Sequence, residues 1–101
     1  MKVIIEKRFS SDTLIEGEAE SRKDFVVKNK SDLSGSDLRG SDLRGSNLSG
    51  SDLSGSDLSG SDLRGSNLSG SDLRGSDLRY AKIKSSQKDV LLKALRIEII
   101  D

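Results

Sequence analysis

Serine and aspartate recur together along the middle of this chain, and from these two residue types hydrolytic chemistry is commonly built. Over residues 31–80 a serine precedes an aspartate or asparagine ten times. A serine oxygen becomes a nucleophile only beside a base such as histidine or a poised lysine. The chain has no histidine, and residues 31–80 contain no lysine. Identical serines in identical surroundings also offer none with a singular neighbour to activate it. Carboxylate pairs about 5–10 Å apart, the separation used in glycoside hydrolysis, arise on any regular repeat and point to no reaction. Without cysteine or histidine there is neither thiolate nor imidazole for a transition metal, and no disulfide frame. Calcium-binding repeats of aspartate and glycine use a nine-residue unit with paired glycines, whereas this unit has five residues and one glycine. The expectation is no enzyme, no dedicated metal site and no cofactor.

Composition restricts the elements that carry these residues. A chain of 101 residues suits one domain, or one solenoid with caps. Hydrophobic residues make up 32%, aromatic residues 3% and charged residues 34%, so any core is thin and regular. The 17 basic and 17 acidic side chains balance, giving no overall attraction to nucleic acid or to an anionic membrane. No apolar stretch approaches the ~20 residues that span a bilayer, and residues 1–6 are too short and too early charged for a secretory signal. A cytoplasmic protein is expected.

The organising feature is a five-residue unit repeated ten times over residues 31–80: serine, aspartate or asparagine, leucine, serine or arginine, glycine. Only Tyr80 breaks the glycine column. A period of five fits neither a helix at 3.6 residues per turn nor a strand alternating at two. Glycine at every fifth position opposes helix further, at ~1 kcal/mol each relative to alanine. The chain therefore turns a corner every five residues, with glycine supplying the corner angles and serine and leucine both facing inward. Asparagine replaces aspartate only at Asn47 and Asn67, and residues 41–53 repeat letter for letter as residues 61–73. A recurrence of twenty residues is four units, which implies a four-sided coil. A flexible Ser/Gly linker would have no reason to keep a large apolar residue in every unit.

On these residues the chain resembles the pentapeptide-repeat proteins, whose motif is a small residue, aspartate or asparagine, leucine, and two variable positions. The resemblance implies an all-β fold, a right-handed four-sided β-solenoid, over residues 31–85. Its interior column would be Leu33, Leu38, Leu43, Leu48, Leu53, Leu58, Leu63, Leu68, Leu73, Leu78 and, in an eleventh unit beginning at Ala81, Ile83. Serine stands where the family most often has alanine. Each inward hydroxyl then needs a partner, expected to be a backbone carbonyl, or costs on the order of 1–3 kcal/mol.

The flanks read as covers for the two solenoid ends, which would otherwise expose leucines and unpaired backbone. Residues 1–30 read as an N-terminal cap with lead-in strands: Val3 to Ile5, then Leu14 with Ile15, then Phe25 with Val26 and Val27. Residues 86–101 read as a helix followed by a short terminal strand. Ser86 followed by Asp89 resembles a helix start, Val90, Leu91, Ala94 and Leu95 share a helical face, and Ile97 and Ile99 alternate beyond it. Eight of residues 90–100 are apolar. Either the cap buries all of them on the last coil, or it also forms a two-fold homodimer contact, as C-terminal helices do in many similar proteins.

Some pentapeptide-repeat proteins bind DNA gyrase or topoisomerase IV as acidic mimics of duplex DNA and so protect against quinolones. Residues 31–80 hold eight aspartates and five arginines. They make about 12 Å of rod at ~4.8 Å per coil, a length over which duplex DNA carries about seven negative charges. Stacking units twenty residues apart puts Asp32, Asp52 and Asp72 on the most acidic side, with −2; the next sides carry −1, zero, and no charged residue at all. No side offers a concentrated charge or an aromatic anchor. Uniformity at outward positions, which packing does not restrain, reads as a consensus sequence written on purpose. The expectation is a designed structural scaffold, with a gyrase-binding DNA mimic as the alternative and no direct nucleic-acid partner.

Overall fold

The computed structural model describes residues 1–98 and 100. It measures 46 × 25 × 22 Å along its principal axes. The repeat stacks at intervals of twenty residues. Parallel bridges join Asp37 to Asp57 and Asp57 to Asp77, Asp42 to Asp62, Asn47 to Asn67, and Asp52 to Asp72, so four units complete each coil.

One unit explains the rest. The Leu38 N–H donates to Asp57 O (2.8 Å), the Gly40 N–H to Ser59 O (2.9 Å), and the Asp57 N–H back to Ser36 O (2.8 Å). The N–H of Ser41, which opens the next unit, closes the corner on Leu38 O (3.2 Å). The corner requires a positive φ, which glycine adopts without penalty. The nine repeat glycines have φ between 64° and 74°, and Tyr80 follows them at 63°. Because a corner interrupts every five residues, the coil pairs through isolated bridges, not continuous strands. The interior column from Leu33 to Leu73 is buried, each side chain contributing about 1.5–3 kcal/mol. Leu78 and Ile83, on the incomplete last coil, are only half-buried.

The N-terminal segment begins with a hairpin of β1 (Lys2–Glu6) and β2 (Thr13–Glu18), paired antiparallel with Ile5 opposite Ile15. Alternation in β1 sends Val3 and Ile5 inward. The hairpin then meets the repeat. The Asp37 N–H donates to Glu6 O (2.8 Å) and the Arg8 N–H to Gly35 O (2.7 Å), so the end of β1 and the residues after it supply partners where no preceding coil exists.

Phe25, Val26 and Val27 are not a lead-in strand. They lie in helix α1 (Arg22–Lys28), whose first turn is held by the Asp24 N–H donating to the Ser21 side-chain oxygen at 3.1 Å. The helix buries Phe25 and Val26. Gly17 makes that burial feasible: a Cβ there would stand 2.9 Å from the Phe25 ring.

At the other end a 3₁₀ turn (Ser85–Gln87) leads into α2 (Lys88–Ala94). The expected terminal strand is absent among the described residues. Arg96 takes φ 59°, and the Ile97 N–H bends back to Leu92 O (3.0 Å), so the chain ends the helix in a left-handed turn instead of extending. Ile99 lies outside the described residues.

Candidate functional site

The outward positions are the repeat side chains open to a partner, and the local backbone determines what they present. In each unit from 36–40 to 76–80 the Oδ1 of the aspartate or asparagine accepts the N–H two residues on, as from Arg44 to Asp42 (3.2 Å) and from Ser54 to Asp52 (3.1 Å). This Asx-type turn aims residue four of the unit back at the acid. Where that residue is arginine, the guanidinium closes a two-pronged bond. Asp42 takes Nε and Nη2 of Arg44 at 2.8 Å each, and Asp72 takes those of Arg74 at 2.9 and 2.7 Å. Asp37, Asp62 and Asp77 are held likewise by Arg39, Arg64 and Arg79. At three of the serine units the hydroxyl of residue four donates to the same Oδ1 instead, Ser54 to Asp52 (2.6 Å), Ser59 to Asp57 (2.7 Å) and Ser49 to Asn47 (2.7 Å), while Ser34 bonds Ser54 on the next coil.

The arginine forks hold Asp62, Asp72 and Asp77 at a pKa of about 2, chiefly through the guanidinium hydrogen bonds. Asp42 and Asp37 are lowered by the same cause. Five carboxylates are thus neutralised inside their own units. The acidic side of Asp32, Asp52 and Asp72 does not stack from its first member. Asp52 and Asp72 stack, but Asp32 lies in a 3₁₀ turn (Lys30–Asp32), and the Asp52 N–H takes Lys30 O (2.8 Å) in place of the expected Ser31 carbonyl.

Inward, the serines divide. Ser46, Ser56, Ser66, Ser71 and Ser76 donate to the carbonyl of the leucine three residues earlier at 2.6–2.7 Å. Ser36, Ser41, Ser51 and Ser61 are buried with no hydrogen-bond partner on their hydroxyls.

Of the C-terminal positions, Ala94 is buried, Val90, Leu91 and Leu95 are half-buried, and Ile97 is 52% exposed. Two residues that sequence reasoning missed hold the ends. Arg8 lies across one corner column: beyond its backbone bond to Gly35, its Nη1 donates to Gly55 O (3.1 Å) and Gly75 O (3.2 Å), so one residue ties three coils. No local pattern in the sequence announces it. Gln87 closes the far end. Its Oε1 accepts from the Gly65 N–H (3.0 Å) and the Lys84 N–H (2.8 Å), while Nε2 donates to Leu63 O (2.8 Å) and Ser66 O (2.9 Å). The side-chain amide thus replaces a peptide group of a further coil. It follows Asn47 and Asn67 by the same twenty residues, a phase that would have flagged it.

Among the described residues no group of three or more acidic, histidine or cysteine side chains could hold a metal. No described helix is long and apolar enough to cross a membrane.

Stacked five-residue units with a leucine interior and acid-led outward turns define a repeat solenoid. The chain belongs to the pentapeptide-repeat family: residues 29–60 and 56–87 match the family model of pentapeptide repeats, with 8 copies. No curated protein matches it. Among solved structures it is similar to full-length QnrB1, a plasmid-mediated fluoroquinolone resistance protein, at 33% identity and a TM-score of 0.30. That similarity covers 64% of this chain and 35% of the other, so the chain spans about a third of its length.

Proposed function

We propose that this protein is a non-enzymatic structural scaffold, a designed consensus of the pentapeptide unit. In this reading it is wound as a right-handed four-sided coil over residues 31–85 and capped by residues 1–30 and 86–101. One observation carries the reading: every arginine of the repeat is forked onto the aspartate of its own unit. Side chains committed in this way serve solubility and stacking. They leave little free charge for a partner, and fixed hydrogen bonds would have to break before a recognition surface could form. The near-identity of the outward positions supports design, because packing does not restrain them.

The scaffold is proposed to pair with a second copy through its C-terminal end, where Ile97 and Ile100 are 52% and 82% exposed beside the half-buried Leu91 and Leu95. Sedimentation tests the pairing: Ile97→Glu with Ile100→Glu gives a monomer where the parent is a dimer, and a monomeric parent at high concentration removes it.

The alternative is a DNA mimic acting on gyrase or topoisomerase IV. Supercoiling by purified gyrase decides between the two. The scaffold reading predicts unchanged supercoiling and no quinolone protection in cells; inhibition at about 1 μM or below overturns it.

A further inference from the structure

The last coil is closed unevenly. Gln87 satisfies Leu63, Gly65 and Ser66, and the Ala94 carbonyl accepts the Leu73 N–H (2.9 Å). Between these two closures lies the unit 66–70. In the coil before it, the Leu48 and Gly50 N–H groups donate to Asn67 O and Ser69 O. The equivalent N–H groups of Leu68 and Gly70 have no acceptor among the described residues. Of the two, Gly70 lines a cleft of about 310 Å³ against α2, together with Ser69, Ser71, Val90, Lys93, Ala94 and Arg96.

The polar character of this cleft is one-sided. Lys93 and Arg96 make no ion pair within 4.0 Å among the described residues. The nearby Asp72 is already forked by Arg74. Acceptors that could compete are occupied: Asn67 Oδ1 takes the Ser69 N–H (3.0 Å), and the carbonyls of Leu91, Leu92, Lys93 and Ala94 take N–H groups of Leu95, Ile97, Arg96 and Leu73. What remains is the Gly70 backbone donor, two cations and an apolar wall of Val90 and Ala94. Charge-assisted donors lining one cleft beside apolar surface match an oxyanion with a short carbon body.

We propose that this cleft binds a small oxyanion, a phosphate or carboxylate head group, held by the Gly70 N–H group and by Lys93 and Arg96. The site goes beyond the scaffold reading and needs no catalysis. It is tested on the full chain by amide NMR, with inorganic phosphate in one titration and acetate in the other, at constant ionic strength. Saturable shifts at Gly70, half-complete at about 1 mM or below in at least one titration, are expected. The anion that saturates first identifies the head group. Lys93→Gln with Arg96→Asn, the asparagine tolerating the left-handed backbone at that position, is expected to abolish the shifts, while Lys88→Gln leaves them. If the double variant loses its fold, Lys93→Gln alone is expected to raise half-saturation about fivefold. The proposal is overturned by shifts that fail to saturate with either anion, that spread evenly over the repeat, or that persist unchanged in the folded Lys93 variants.

Discussion

The inward serines allow a comparison in which one substitution has opposite consequences at sites of the same sequence context. Ser36, Ser41, Ser51 and Ser61 bury hydroxyls without partners, while Ser46, Ser56 and Ser66 donate to a leucine carbonyl at 2.6–2.7 Å. A buried unsatisfied hydroxyl costs about 1–3 kcal/mol, and a satisfied one contributes about 0.5–1.5 kcal/mol net. The first group can recover part of its cost by rotating toward the same carbonyl, since the Ser36 N–H already lies 3.1 Å from Leu33 O, so the lower end of the range applies. Alanine at all four unpaired positions is expected to raise the unfolding free energy by roughly 2–4 kcal/mol. Alanine at Ser46, Ser56 and Ser66 is expected to lower it by roughly 1.5–4.5 kcal/mol. Ser41 and Ser61 follow one another at the coil interval and will couple, so the fourfold total need not equal the sum of single variants. Urea unfolding with unchanged m-values reads both series directly. Equal shifts of the same sign in the two series would refute the division of the hydroxyls into two classes.

The remaining expectations concern charge, core and cap. Fork-bound carboxylates with pKa near 2 in the fold, against about 3.9 in the unfolded chain, stabilise it fully above the unfolded value; that stability is lost as pH falls from about 4 through 2, so the urea midpoint should drop over this window. A midpoint that is flat or rising there contradicts the forks. Leu58→Asp puts an unpaired carboxylate at a site with zero exposure, and calorimetry should find the cooperative transition lost or weakened by at least about 4 kcal/mol. Gln87→Ala removes the end plug at a cost of about 1–3 kcal/mol and should speed hydrogen exchange at the Gly65 amide while leaving Leu38 protected.

How far the sequence is legible depends on whether structure repeats. The leucine column and the coil of four units can be read because each unit meets the same surroundings, and the Asn47–Asn67 recurrence marks one full coil. Helix α1 is misread because Phe25, Val26 and Val27 are a run of strand-forming residues. The competing signal, Ser21 with Asp24 three residues on, is a helix start that tertiary burial then reinforces. The terminal strand fails for a different reason. Alternation over residues 96–100 suggests extension, yet Arg96 turns left-handed, and among the described residues no strand edge pairs with the segment beyond it. The acidic side of Asp32, Asp52 and Asp72 assumes ideal stacking from the first unit, whereas the first unit must hand over to the cap. The Arg8 tie is invisible because it joins corners twenty residues apart to a hairpin far away in sequence.

The repeat is a coil of interchangeable units, four to a coil, whose far end is held by Gln87 and Ala94 on the coil beside them. Duplicating residues 41–60 in place adds one full coil and leaves Gln87 and Ala94 on Leu63, Gly65, Ser66 and Leu73. Duplicating residues 41–50 adds half a coil and leaves the same contacts in place. Unfolding is measured on both variants against the parent. Both are predicted to be more stable than the parent, the full-coil variant by about twice the gain of the half-coil one. A half-coil variant less stable than the parent, or no gain from a full coil, would contradict this arrangement.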